Sequence, residues 1–72
     1  MFRYLINQTI HDDVIHRVYV LDSKILSCSC HKDLAINPDA TWHYKLIING
    51  VPTEGHATMQ ELEVKLMTDA KG

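Results

Sequence analysis

Cysteine is too scarce here to build a disulfide scaffold. Only Cys28 and Cys30 occur, and a bridge between positions i and i+2 of an extended segment violates disulfide geometry. This usage predicts a reducing compartment, and with it a cytoplasmic location. Long apolar runs are missing as well. No segment approaches the roughly 18 consecutive apolar residues of a membrane span. Met1-Phe2-Arg3-Tyr4 leads straight into an alternating stretch, unlike the cationic start and apolar run of a signal peptide. Nor is there a run of Lys or Arg. Seven basic and nine acidic side chains give a net charge of −2, without the basic stripe of a nucleic-acid binder. The carboxylates are too few for a nucleic-acid mimic.

What remains is 72 residues, enough for one domain. A core of this size seldom leaves more than about 3–5 kcal/mol of net stability. The clearest structural signal is residues 42–49. Trp42, Tyr44, Leu46 and Ile48 alternate with His43, Lys45, Ile47 and Asn49, the period of a half-buried strand. Gly50 ends it, and Pro52 and Gly55 mark 51–56 as a loop. Thr58-Met59-Gln60-Glu61 is a capping box that opens a C-terminal helix. Met59, Leu62, Leu66, Met67 and Ala70 share one side of that helix, Glu61 and Lys65 stand in the favourable i,i+4 order, and the last three residues are expected to fray.

Upstream, residues 2–10, 14–21 and 25–30 read as three more strands, rich in β-branched and aromatic side chains. The polar breaks His11-Asp12-Asp13 and Asp22-Ser23-Lys24 separate them. Three-residue loops at both breaks set Ile10 opposite Val14, Ile6 opposite Val18 and Tyr4 opposite Val20. The second loop sets Val20 opposite Leu26, Val18 opposite Cys28 and His16 opposite Cys30. That register gathers Phe2, Tyr4, Ile6, Ile10, Val14, Val18, Val20, Leu26, Cys28 and Cys30 on one face, although neither loop has the glycine such turns favour. The long connection 32–41 holds a turn at Asn37-Pro38-Asp39-Ala40, and Leu34 and Ile36 are expected to tuck it against the rim. The expected architecture is α+β: a four-stranded antiparallel sheet with one C-terminal helix on one face, ββββα.

Five groupings could carry chemistry. Cys28, Cys30 and His16 are zinc-type ligands on one face in this register, against the bland reading of buried thiols acting as small hydrophobes. A cysteine nucleophile is disfavoured, because thiols on a core face are shielded from substrate and so small a chain encloses little pocket. His11-Asp12-Asp13 reads as a solvated turn. Tyr19 is left as the lone exposed stacking aromatic, too little for a sheet-type nucleic-acid reader. The fifth grouping is the reverse face of the sheet. There Leu5 aligns with Tyr19 and Leu21 with Ile25, joined by Ile47 and flanked by Arg3, Arg17, Lys45, His31 and His43. An apolar patch rimmed by polar residues marks an interface, and Tyr and Arg are enriched at the energetic centres of interfaces.

The sequence therefore predicts a non-enzymatic protein-binding module without cofactor or metal. It acts through Leu5, Arg17, Tyr19, Leu21, Ile25, Lys45 and Ile47, on a protein partner or on a second copy as a homodimer. Compact chains of this kind are often regulators or inhibitors, including accessory proteins of phages and mobile elements. Membrane and nucleic acid are disfavoured as partners. A zinc-stabilised domain using Cys28, Cys30 and His16 is the first alternative, and a sheet-type nucleic-acid binder the second.

Overall fold

The computed structural model describes residues 5–68. It is an α+β domain with five antiparallel strands in sequential order, a meander, followed by a helix. The strands are β1 (Leu5–His11), β2 (Val14–Leu21), β3 (Lys24–His31), β4 (Thr41–Ile48) and β5 (Val51–Thr58). A short helix α1 (Lys32–Ala35) follows β3, and α2 (Met59–Met67) follows β5 without a loop.

The fifth strand corrects the expected count of four. Residues 51–56 pair with β4 rather than forming a loop. The turn responsible is Asn49-Gly50, with φ of 51° and 83°. Two successive positive φ angles are the signature of the two-residue hairpin turn whose twist suits the flanking strands. Pro52 is tolerated because β5 is an edge strand, where a missing amide need not break a ladder. Gly55 pairs with Tyr44, and a Cβ there would come within 3.2 Å of the Tyr44 ring. The aromatic ring takes the place of the missing side chain.

The first two hairpins are also tighter than expected. Asp12 and Asp13 both adopt left-handed φ, 52° and 65°, and Asp22 does so at 54°. Aspartate tolerates this conformation because its short polar side chain bonds locally. Two-residue loops replace three-residue ones, so Ile10 faces Ile15, Tyr19 faces Leu26, Arg17 faces Cys28 and Ile15 faces Cys30. A one-residue slip turns every side chain of a strand to the other face. The whole of β2 is inverted relative to the sequence expectation. Tyr19 is 1% exposed and belongs to the core, with Leu26, Cys28, Cys30, Trp42, Leu46, Ala57, Leu62 and Leu66. Val14, Val18 and Val20 face away from it. An irregularity between Leu5 and Asn7 then restores the pairing of Leu5 with Tyr19. Phe2 and Tyr4 lie outside the described residues.

The alternation in β4 is as the sequence predicts: Trp42 and Leu46 are buried, Tyr44 and Ile48 half-buried, His43 and Lys45 exposed. The capping box is also formed. Thr58 Oγ1 accepts from the Glu61 amide at 3.3 Å, and Glu61 Oε1 accepts from the Thr58 amide at 2.9 Å. Leu62 and Leu66 are fully buried and Met59 half-buried. Met67 is 56% exposed, since α2 ends there, and Ala70 lies outside the described residues. Lys65 sits over the Tyr44 ring at 5.7 Å.

Lys24 begins β3 rather than closing a turn. It is 5% exposed, and its Nζ donates to the carbonyls of Leu66, at 2.7 Å, and Thr68. Carbonyls at a helix C-terminus lack intrahelical donors and carry partial negative charge. A buried ammonium is acceptable where such acceptors meet it. In the 32–41 connection, Ala40 donates to the Asn37 carbonyl at 3.0 Å, which closes the expected turn. Leu34 and Ile36 are 59% and 86% exposed; Ala35 and Ala40 pack on the core instead. The Lys32 amide donates to the Asp13 carbonyl at 2.8 Å and ties α1 to the first hairpin.

Candidate functional site: the open face of the sheet

Both helices pack on one face. Tyr19 Oη contacts Met59 Sδ at 3.9 Å, Lys24 reaches Leu66, and Ala35 joins the same core. Among the described residues no helix lies over the opposite face. Cross-strand pairing sets that face out in rows. One row runs Thr9, His16, Ser29, His43, His56 across all five strands, and the next runs Asn7, Val18, Ser27, Lys45, Glu54. A third, of Val20, Ile25, Ile47 and Pro52, is apolar. His11, Val14 and His31 form a short fourth row at the other end.

All five histidines of the chain therefore occupy one face of the sheet. Glu54 is the only carboxylate on any described strand; the remaining described acids lie in turns or in the segments that carry α1 and α2. Between the rows lies an open depression of about 270 Å³, lined by His16, Ser27, Cys28, Ser29, His43, Lys45 and Glu54. His43 Nε2 is 3.6 Å from Glu54 Oε1, and the His43 and His56 ring centroids are 5.2 Å apart. At the far end, His31 Nδ1 accepts from the Asp33 amide at 3.1 Å and caps α1, so its other ring nitrogen carries the proton in the neutral ring.

The residues expected to bind a partner are divided by the sheet. Ile25 (43% exposed), Lys45 and Ile47 lie on the open face. Tyr19, Arg17 and Leu21 do not, because the tight Asp12-Asp13 and Asp22-Ser23 turns invert β2. Tyr19 is core. Leu21 pairs with Lys24 rather than Ile25 and packs on the core. Arg17 stacks over Trp42 at 4.9 Å and donates through Nε to Gln8 Oε1 at 2.8 Å. Leu5 pairs with Tyr19. Arg3 lies outside the described residues.

The same inversion dismantles the zinc set. Cys28 and Cys30 are buried under the helices, whereas His16 pairs with Ser29 on the open face. Burial pushes the Cys28 thiol up to about 11, with Arg17 opposing the shift, and Cys30 moves in the same direction for the same reason. Thiolate, the form that binds metal or attacks a substrate, is suppressed at both positions. The stacking reading loses its aromatic too, since Tyr19 is buried. Conversely, sequence reasoning set His16 on the core face with the thiols, read Glu54 and His56 as loop residues, and missed Ser27 and Ser29. The Asn49-Gly50 dipeptide was the signal that would have placed Glu54 and His56 on a strand.

Comparison with protein-family models, with curated proteins and with solved structures gives no match. Function rests on the site. Chemically, the described strand residues of the open face offer imidazole nitrogens, serine hydroxyls, one ammonium and one carboxylate beside an apolar strip. Among the described residues, no helix is long and apolar enough to cross a membrane.

Proposed function

We propose that this protein is a non-enzymatic binding module, a regulator or inhibitor, whose open sheet face docks a protein segment bearing apolar side chains flanked by carboxylates. One observation carries this reading: Val20, Ile25, Ile47 and Pro52 form an apolar strip beside Lys45 and the histidine rows, on a face whose described strands carry a single carboxylate. Uncovered apolar strips with a polar rim favour association. On the described strands of this face Lys45 and several imidazole donors stand against a single carboxylate, a balance that suits a partner with acidic flanks.

Selection from a displayed random-peptide library tests the proposal with a defined probe. Apolar peptides with acidic flanks should be enriched on the wild type and lost on Ile25→Asp and Lys45→Glu. Both variants should stay folded, with melting temperatures within about 4 °C of the wild type. Enrichment that survives both substitutions, or none at all, refutes the docking face. Concentration-dependent dimerisation abolished by Ile25→Asp, measured by sedimentation, replaces the acidic partner with a second copy of the chain.

A further inference from the structure

We propose that His43, His56 and Glu54 form an exchangeable binding site for a divalent transition ion of the zinc class. The site goes beyond the docking reading and stands if that reading fails. His43 and His56 are direct cross-strand partners on β4 and β5. Glu54 lies two residues before His56, on the same face of β5. The backbone ladder thus brings three side chains with metal-type donor atoms to one spot on a rigid platform.

Distances decide whether an ion fits. With metal–nitrogen bonds of about 2.0–2.1 Å, an ion lies about 3.2 Å from the centroid of each imidazole that binds it, and a tetrahedral angle then separates the two centroids by about 5.2 Å. The His43 and His56 centroids are 5.2 Å apart. Bonds of about 2.0–2.2 Å from one ion to a ring nitrogen and a carboxylate oxygen span a 3.6 Å gap at an angle of about 120°. His43 Nε2 and Glu54 Oε1 are separated by 3.6 Å. As the side chains stand, no group of three His, Cys, Asp or Glu among the described residues is placed to hold a metal ion, and the His56 ring is tilted 51° to that of His43, so the site forms only when His56 turns. A turn of the exposed His56 ring about its Cβ–Cγ bond, which leaves the ring centroid nearly in place, would complete the set, with water in the fourth position. Two imidazoles and one carboxylate suit zinc, with copper(II) binding more tightly by the usual order of divalent affinities. The buried thiols, on the other side of the sheet, take no part.

Titration calorimetry of the purified protein with zinc chloride tests the site. One equivalent should bind. His43→Ala and His56→Ala should each weaken binding by more than about 100-fold, beyond the loss expected for a group that only supports a ligand. His11→Ala and His31→Ala, on the same face but outside the cluster, should leave affinity unchanged. Circular dichroism checks that every variant folds. Cobalt(II) absorption of the wild type supplies a readout independent of any substitution: nitrogen and oxygen ligands give d–d bands without thiolate charge transfer. Absence of saturable zinc binding overturns the proposal. So does binding that survives both His43→Ala and His56→Ala, or a thiolate charge-transfer band that assigns the ion to Cys28 and Cys30.

Discussion

On the helix-covered face of the sheet, Tyr19, Leu26, Trp42 and Leu46 are each at most 5% exposed. Their neighbours in the chain, Val20, Ile25, His43 and Lys45, point to the other face and are half-buried or exposed. Both sets ride on the same backbone, so strand propensity cannot distinguish them. Each face is polar where its surroundings permit. The covered side admits Lys24 only because the carbonyls of Leu66 and Thr68 accept its hydrogen bonds. The open side carries imidazoles, hydroxyls and an ammonium in register across the strands, where water or a partner can satisfy them. The difference separates stability from recognition, and mirrored substitutions can test that separation.

The largest contrast is expected between two changes to aspartate. Tyr19→Asp puts a carboxylate where a 1% exposed ring now sits. An unpaired buried charge is among the most destabilising changes known. Set against a net stability of about 3–5 kcal/mol, it should leave the chain largely unfolded. Ile25→Asp, on the open side, should shift stability by no more than about 0.5 kcal/mol. Urea unfolding followed by tryptophan fluorescence compares them, because Trp42 lies in the affected core. Equal losses would mean that the two faces do not divide as described.

A smaller contrast concerns two lysines. Lys24→Met keeps much of the buried stem and strips the donors from the helix C-terminal carbonyls. The cost of leaving such acceptors unmet is about 1–3 kcal/mol. Lys45→Met, on an exposed open-face position, should change stability by less than about 0.5 kcal/mol. Amide exchange in α2 sharpens the comparison: Lys24→Met should speed exchange through the last turn of the helix, and Lys45→Met should not.

How much of this was legible in the sequence depends on what each signal constrains. The alternation that begins at Trp42 and the Thr58 capping box specify local structure directly, and both are present, with the strand ending at Ile48 and Asn49 passing into the turn. Register is different, because a hairpin loop one residue shorter leaves the strands intact while exchanging their faces. Asp12, Asp13 and Asp22 gave no glycine to announce left-handed turns, and the hydrophobic pattern of β2 is ambivalent. Val14, Val18 and Val20 compete there with Ile15, Tyr19 and Leu21 for the core. Burying Tyr19 against Leu26 and Met59 decides the matter, and only the tertiary structure supplies those partners. β5 was hidden by Pro52, Glu54 and Gly55, residues that propensity places outside strands. Asn49-Gly50 is the stronger signal, since a specific turn geometry outweighs a weak average preference. The candidate site inherits both errors: Ile25, Lys45 and Ile47 were found, whereas His16, His56 and Glu54 followed the misread strands.

The smallest expected effect is a pH dependence at the junction between β5 and α2. Hydrogen bonds from the Thr58 amide and then the Thr58 hydroxyl hold the exposed Glu61 carboxyl below its ordinary value of 4.5, with a weaker contribution from the Lys65 charge. A carboxyl lowered in the folded state binds fewer protons there than in the unfolded chain, so stability rises with pH between the two values. Its stabilising effect is fully present above about pH 4.5 and fades as pH falls through the folded-state value. Glu61→Gln keeps an acceptor for the Thr58 amide and removes the titration. The melting-temperature advantage of the wild type over Glu61→Gln should therefore be constant from pH 7 to about pH 5 and shrink below about pH 4.5. Added salt separates the two causes: it screens the Lys65 attraction and spares the short-range bonds from Thr58. An advantage that vanishes in salt at pH 6 would assign the effect to Lys65, and the capping box would then be a geometric stop for β5 without electrostatic weight.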